Sequence, residues 1–518
     1  MKTKKTFKRI AITATAAIIA SCAIVPIAST SSLAAEINIT NSQSDHTYEA
    51  YQIFAGTLSS DKTKLSSITW GTGVKTNGNL MTDIKGISQF ASCQTAADVA
   101  EKLGENNANK AVVDAFLTVI SGYLSDSPTG STNVQADGKY TISGLPDGYY
   151  FIKDKDDSLD DKESKTYTDY IVEVIGTKTI NVKSGLPTFT KTVGDVNDSD
   201  GTSADGQTSA DYDIGDSVPF HLEATVDSEL ANYTSYQFTI HDTLAPGLTI
   251  EEASIVVKCG STALSKGTDY NVNLSTSDSD TFDIVFPNLK NVAAVTAGST
   301  ITVDYTAKLG SNAVIGGTGN PNTAYLEYSN NPNDLSKTGK TPENIVKVYT
   351  YDLIIDKIKA SDSSALAGAE FKLEKKVGGS WTTVQTAVKI NGNATFTFDG
   401  IDDGLYKLTE TTIPDGYNGI DPICFKVEAA HDENGVTSLS ATQTEEDGSA
   451  FSGTALSFAC SPNAGTIEAD IKNQAGSELP STGSIGTTPF YVGGGILVAA
   501  AGVYIIVRKR MKNNDNEK

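Results

Sequence analysis

Between residues 186 and about 349, apolar and polar side chains alternate almost without a break. Thr, Val, Tyr and Ile fill the runs, and Gly, Asn and Asp mark the turns. A period of two sends successive side chains to opposite faces of a strand, so this stretch is predicted to form a β-sandwich. The pattern returns in a shorter stretch over 350–474. Residues 36–185 differ. Residues 48–54 read as a strand, 96–124 carry apolar residues at helical spacing, and strands return at 140–142 and 149–152 around the turn Leu145-Pro146-Asp147-Gly148. The chain is expected to be mainly β: three tandem Ig-like β-sandwich domains over 36–185 (with added helices), 186–349 and 350–474. Segments 1–35 and 475–518 lie outside them.

Some polar side chains fall on the apolar face of these strands. In the last region Leu353, Ile355 and Lys357 share parity, as do Tyr406, Leu408 and Glu410, and Ile467, Ile471 and Asn473. In the middle region the sets are Phe189, Lys191 and Val193; Phe238, Ile240 and Asp242; and Asn322, Ala324 and Leu326. Each region offers a Lys near its start, an acid mid-way and an Asn near its end. A lone buried charge costs several kcal/mol. Amide exchange gives the three a joint purpose. Burial disfavours charge on Lys and raises the acid's pKa. The neutral amine attacks the Asn carbonyl, and the protonated acid polarises it and helps ammonia leave. Fixed geometry offsets about 7–11 kcal/mol of the barrier. The products would be isopeptide bonds Lys191–Asn322, promoted by Asp242, and Lys357–Asn473, promoted by Glu410. The same parity also fits a buried ion pair with an Asn beside it.

The two ends of the chain carry signals of their own. Leu479-Pro480-Ser481-Thr482-Gly483 precedes an apolar run from Phe490 to Val507 and a basic tip, Arg508-Lys509-Arg510. The run is near the ~20 residues of a membrane span, and the basic tip would stay cytoplasmic. Lys2, Lys4, Lys5, Lys8 and Arg9 precede an apolar stretch from Ile10 to Ile27, and Ser32-Leu33-Ala34 offers small residues for cleavage. Residues 1–35 therefore read as a secretory signal peptide. A lipoprotein box ending at Cys22 is the rival, but the apolar run continues past it.

Several segments resemble one family. Leu479-Pro480-Ser481-Thr482-Gly483 resembles the LPXTG sorting signal of Gram-positive surface proteins, which a sortase cuts between Thr and Gly. Tyr406-Lys407-Leu408-Thr409-Glu410-Thr411, followed by Pro414-Asp415-Gly416-Tyr417, resembles the E-box of Gram-positive pilins. The runs starting at Asp242 and Asn322 are similar to segments of the middle domain of backbone pilins, the second to its final strand. The resemblance implies an LPXTG-anchored major pilin with isopeptide-forming, CNA-B-type domains. It also implies that Lys183, at the end of the first domain and on its polar face, is the amine joined to Thr482 of the next subunit. Lys183 departs from the family's pilin motif, because Val182 stands where a Pro is usual. The implied partners are a pilin-specific sortase, a housekeeping sortase, other pilin subunits and peptidoglycan. The implied setting is a fimbria on the cell wall, with a part in adhesion. A monomeric wall-anchored adhesin would share every feature except the use of Lys183.

Charge and composition exclude other classes. Formal net charge is -23, and loss of both processed ends leaves the mature chain near -31. Such a surface repels phosphate backbones, so nucleic acid is not an expected partner. Of the four His, none has a Ser-His-Asp spacing, and the Cys spacing matches no metal site. No metal, cofactor or enzymatic turnover is expected. Cys424 and Cys460 fall in one region and could form a disulfide. The loop Asp195-Val196-Asn197-Asp198-Ser199-Asp200-Gly201 misses the EF-hand pattern and reads as a solvated acidic loop. The first region has no Lys between Glu36 and Asp61, so its opening strand cannot supply a cross-linking amine.

Overall fold

The computed structural model describes residues 35–41, 44–61, 63–106, 109–132, 138–159, 162–163, 165–181, 186–274, 280–332, 334–386, 388–390, 394–476 and 488–514. The chain is mainly β, in six sheets that pair along the sequence.

The first pair of sheets is the least regular. Strand Ala35–Thr40 lies between Lys139–Leu145, antiparallel, and Thr177–Asn181, parallel. The facing sheet runs in the order Leu65–Trp70, Tyr48–Leu58, Gly148–Asp154, Asp169–Val174. The stretch expected to be helical forms two helices, Ala96–Glu105 and Lys110–Ser121. The first starts at a capping box, in which Thr95 and Asp98 satisfy each other's backbone amides. Asn106 closes the first helix and Asn109 opens the second; Asn106 Nδ2 donates to Lys102 O at 2.9 Å, the local bonding that disfavours Asn inside a helix. Phe90, Val99 and Phe116 from this helical layer pack against Ile53, Phe54 and Phe151 of the sheet. Among the described residues of 35–181 no Lys is buried, and the buried polar residues include the pair His46–Asp154, 2.7 Å apart.

The middle domain is a sandwich of two larger sheets. Thr188–Val196, Ser217–Thr225 and Thr300–Leu309 are neighbours in one; Phe238–Leu244, Asn320–Ser329 and Asn344–Tyr349 lie in the other. Asn320–Ser329 is thus not the final strand, as its sequence resemblance suggested. Asn344–Tyr349 follows it and pairs antiparallel with it. In the last domain, Tyr351–Lys359 and Thr466–Asn473, its first and last strands, run side by side and parallel. Gly404–Thr412 belongs to the facing sheet, with Glu370–Val377 and Ile423–Asp432 as neighbours.

The middle and last domains meet backbone to backbone. Ile214 N donates to Gly400 O at 2.8 Å and Gly317 N to Asn463 O at 3.1 Å. Gly316 and Gly465 both have positive φ and approach so closely that a Cβ on Gly465 would lie 2.4 Å from Gly316 Cα. Lys375, with its side chain 1 % exposed, crosses the joint to Asp213 at 3.0 Å and bonds Asp402 on its own side. The acidic loop after Val196 docks here rather than standing in solvent. Leu405 N donates to Ser199 Oγ at 2.8 Å, and Gly378 N to Asp198 O at 3.3 Å. Limited trypsin digestion is expected to cut the region before residue 183 first and to leave 186–474 as one resistant piece, since local opening is easiest where no core cross-link can form. A first domain that outlasts the other two would contradict this.

The apolar run from Phe490 to Val507 lies in helix Thr488–Asn514, whose described apolar side chains, such as Leu497 and Val498, are exposed. Among the described residues, no helix is long and apolar enough to cross a membrane, so the expected span is not found there.

Candidate functional site

Two clusters bring the inward-facing polar residues together. In the middle domain, Lys191 and Tyr305 come from one sheet, and Asp242 and Asn322 from the other. The Lys191 and Asp242 side chains are 0 % exposed, with Nζ 2.5 Å from Asp242 Oδ2. The Tyr305 hydroxyl sits at the centre. It accepts from Lys191 Nζ at 2.9 Å and from Asn322 Nδ2 at 2.8 Å, and donates to Asp242 Oδ2 at 2.8 Å. Asp242 Oδ1 and Asn322 Oδ1 are buried without a hydrogen-bond partner. Phe220 stacks on Tyr305 and Phe282 meets its edge, which keeps water out.

Burial pushes the Lys191 amine below its ordinary range, against the pull of Asp242. Burial pushes the Asp242 carboxyl up, against the pull of Lys191. Both shifts favour the neutral pair that amide exchange needs: a free amine and a carboxylic acid.

The last domain uses a different layout. Lys357 and Asn473 lie on the adjacent parallel strands of one sheet, and Glu410 faces them from the other. Lys357 Nζ donates to Asn473 Oδ1 and lies 3.3 Å from Glu410 Oε1. Asn473 Nδ2 donates to Glu410 Oε1 at 2.9 Å and Oε2 at 3.1 Å. The acid therefore grips the nitrogen that would leave as ammonia, with no tyrosine between. Burial again lowers the Lys357 amine, with Glu410 opposing.

Tyr305 escaped the sequence reading. It alternates with Ile301, Val303, Ala307 and Leu309 and so reads as an ordinary core aromatic. Only the facing sheet shows what its hydroxyl touches. Tyr305→Phe should slow amide exchange in the middle domain by about 100-fold or more, the usual scale for a lost proton-transfer group. The intact mass would then stay one ammonia heavier long after folding, while the last domain still reacts. An unchanged rate would make Tyr305 a packing residue only.

The remaining expected sites fall elsewhere. Lys183 and the motif Leu479, Pro480, Ser481, Thr482 and Gly483 lie outside the described residues; the strand before Lys183 ends at Asn181, with Ile180 buried and Asn181 exposed. Cys424 and Cys460, which could have formed a disulfide, are free thiols. They sit on different sheets, Cys424 on Ile423–Asp432 and Cys460 on Ala459–Ser461. Around Asp195 the structure gathers Asp211 and His431, a grouping the sequence reading did not anticipate.

Three family models match in order along the chain: a Gram-positive pilin backbone subunit 2, Cna-B-like domain over 214–332, a prealbumin-like fold domain over 351–445, and an LPXTG cell wall anchor motif over 471–515. The chain is 25 % identical over 414 residues to the trypsin-resistant surface T6 protein of Streptococcus pyogenes serotype M6, covering 63 % of this chain and 70 % of that one. The solved T6 backbone pilin of that serotype, described as a modular three-domain structure, superposes with a TM-score of 0.56 at 17 % identity, over 86 % of this chain and all of that one. With a backbone-pilin domain match and an LPXTG anchor match on one chain, the protein is similar to the Gram-positive backbone pilins and is a structural subunit of a surface pilus anchored to the cell wall.

Proposed function

We propose that the subunit is polymerised covalently through Lys183 and Thr482 and hardened by two internal isopeptide bonds. A pilin-specific sortase would break the Thr482–Gly483 peptide bond and hold Thr482 as an acyl group. Nζ of Lys183 on another subunit would then take that acyl group. Repetition builds the fibre, and a housekeeping sortase passes the last Thr482 to a peptidoglycan amine. Inside each subunit, Lys191 and Lys357 would attack Cγ of Asn322 and Asn473, each releasing one ammonia. These reactions happen once per chain, so the protein is not an enzyme. The observation that carries the reading is the anchor match over 471–515 in a chain that also holds a backbone-pilin domain.

An immunoblot of wall extracts tests polymerisation directly. A regular ladder of high-mass bands is expected. A single wall-bound band would favour the monomeric adhesin instead.

A further inference from the structure

The joint between the middle and last domains collects more acid than it can neutralise. Lys375 answers one group, Asp213 and Asp402, with Asp198 3.5 Å away. A second group has no Lys or Arg. Asp195 and Asp211 come from the middle domain, on Thr188–Val196 and Ser209–Asp211, and His431 from the last domain, on Ile423–Asp432. One ligand atom from each lies within 4.8 Å of the other two.

Three observations describe this group as more than a crowd of charges. Asp211 is 3 % exposed, and its Oδ2 is buried with no hydrogen-bond partner. His431 Nδ1 is 2.8 Å from Ser209 Oγ, which fixes the ring and turns Nε2 toward Asp211 Oδ1 at 3.5 Å. The Tyr349 ring packs against the imidazole at 5.4 Å. The Nε2–Oδ1 separation is longer than a formed N–H···O bond. It is close to the roughly 3.3 Å between two ligands that each sit about 2.0–2.1 Å from a tetrahedral ion. A ligating imidazole is usually held by a hydrogen bond on its outer nitrogen, and here the Ser209 hydroxyl supplies one.

We propose that Asp195, Asp211 and His431 form a site for one divalent transition-metal ion of the zinc class, which clamps the last domain to the middle one. Two carboxylates and an imidazole suit zinc, cobalt or manganese, whereas calcium and magnesium take oxygen ligands. The Asp198–Asp213–Asp216 group is the weaker alternative, because Lys375 already supplies its cation. The site is independent of polymerisation and of the core cross-links.

The test uses the full, untagged chain in detergent, stripped with a chelator and titrated with Zn²⁺ by calorimetry. One ion per chain is expected, with Ca²⁺ binding far more weakly. Co²⁺ in place of Zn²⁺ should give the visible absorption of a low-symmetry nitrogen–oxygen site. His431→Gln and Asp211→Asn should abolish stoichiometric binding. Ser209→Ala, which only frees the imidazole, should weaken it about 10–100-fold with circular dichroism unchanged. Absence of Zn²⁺ binding in the unmodified chain would overturn the proposal. So would undiminished binding in the His431 and Asp211 variants, which would place the ion elsewhere, or equal affinity for Ca²⁺.

Discussion

Cells producing the Lys183→Arg chain are expected to show one monomer band in wall extracts where the parent shows a ladder. Arginine keeps the positive charge and much of the reach of lysine. Its guanidinium stays protonated at any physiological pH and cannot act as the acceptor amine. The charge of the surface and the fold of the first domain are therefore preserved while the nucleophile is lost. Thr482 is untouched, so the monomer should still be fixed to the wall. A ladder that persists would reject Lys183. It would turn attention to Lys178, half-buried on Thr177–Asn181 opposite Ile37.

Glu410→Gln should leave the chain one ammonia heavier and melt the last domain at a much lower temperature. The substitution keeps the side chain's volume and its carbonyl oxygen but removes the proton donor. Lys357 and Asn473 are 116 positions apart. A cross-link closing a loop of about 100 residues contributes roughly 4.7 kcal/mol in the chain-entropy model. For a domain of this size that corresponds to a loss in Tm on the order of 20 °C. The middle domain, with its own cluster, should melt as before. Mass spectrometry and calorimetry on the same sample separate the outcomes. A parent chain with no missing ammonia would mean that these residues form a buried polar network and nothing more.

Much of this arrangement was legible from alternation alone. Lys191 between Phe189 and Val193, or Asp242 after Phe238 and Ile240, can only face inward once the strand is granted, because the period is two. What alternation cannot give is the partner across the sandwich. It therefore placed Asn322 correctly on an inner face but could not show that Asn344–Tyr349 follows as a further strand. It also missed Tyr305, whose hydroxyl matters only through three residues on other strands. Lys375 makes the point most sharply. It shares parity with the buried Phe371 and Leu373, so the same rule would have marked it. One of its partners, Asp213, belongs to a different domain, and contacts between domains leave no periodic trace. The acidic loop after Val196 looks solvated from sequence for the same reason.

The strand layout around the two clusters sets where tension would run in a pulled fibre. In the last domain, Lys357 and Asn473 sit near the chain's entry and exit on adjacent parallel strands. With that bond in place, force arriving through Tyr351 would cross directly into Asn473, and residues 358–472 would carry none of it. The middle domain differs, because its chain continues beyond Asn322 through Asn344–Tyr349 before leaving. Residues 323–349 would stay in the line of pull, held by the antiparallel pairing of Asn320–Ser329 with Asn344–Tyr349. With both proposed bonds in place, that hairpin would be free to pay out length under load. Its rupture would lengthen the subunit without breaking a covalent bond.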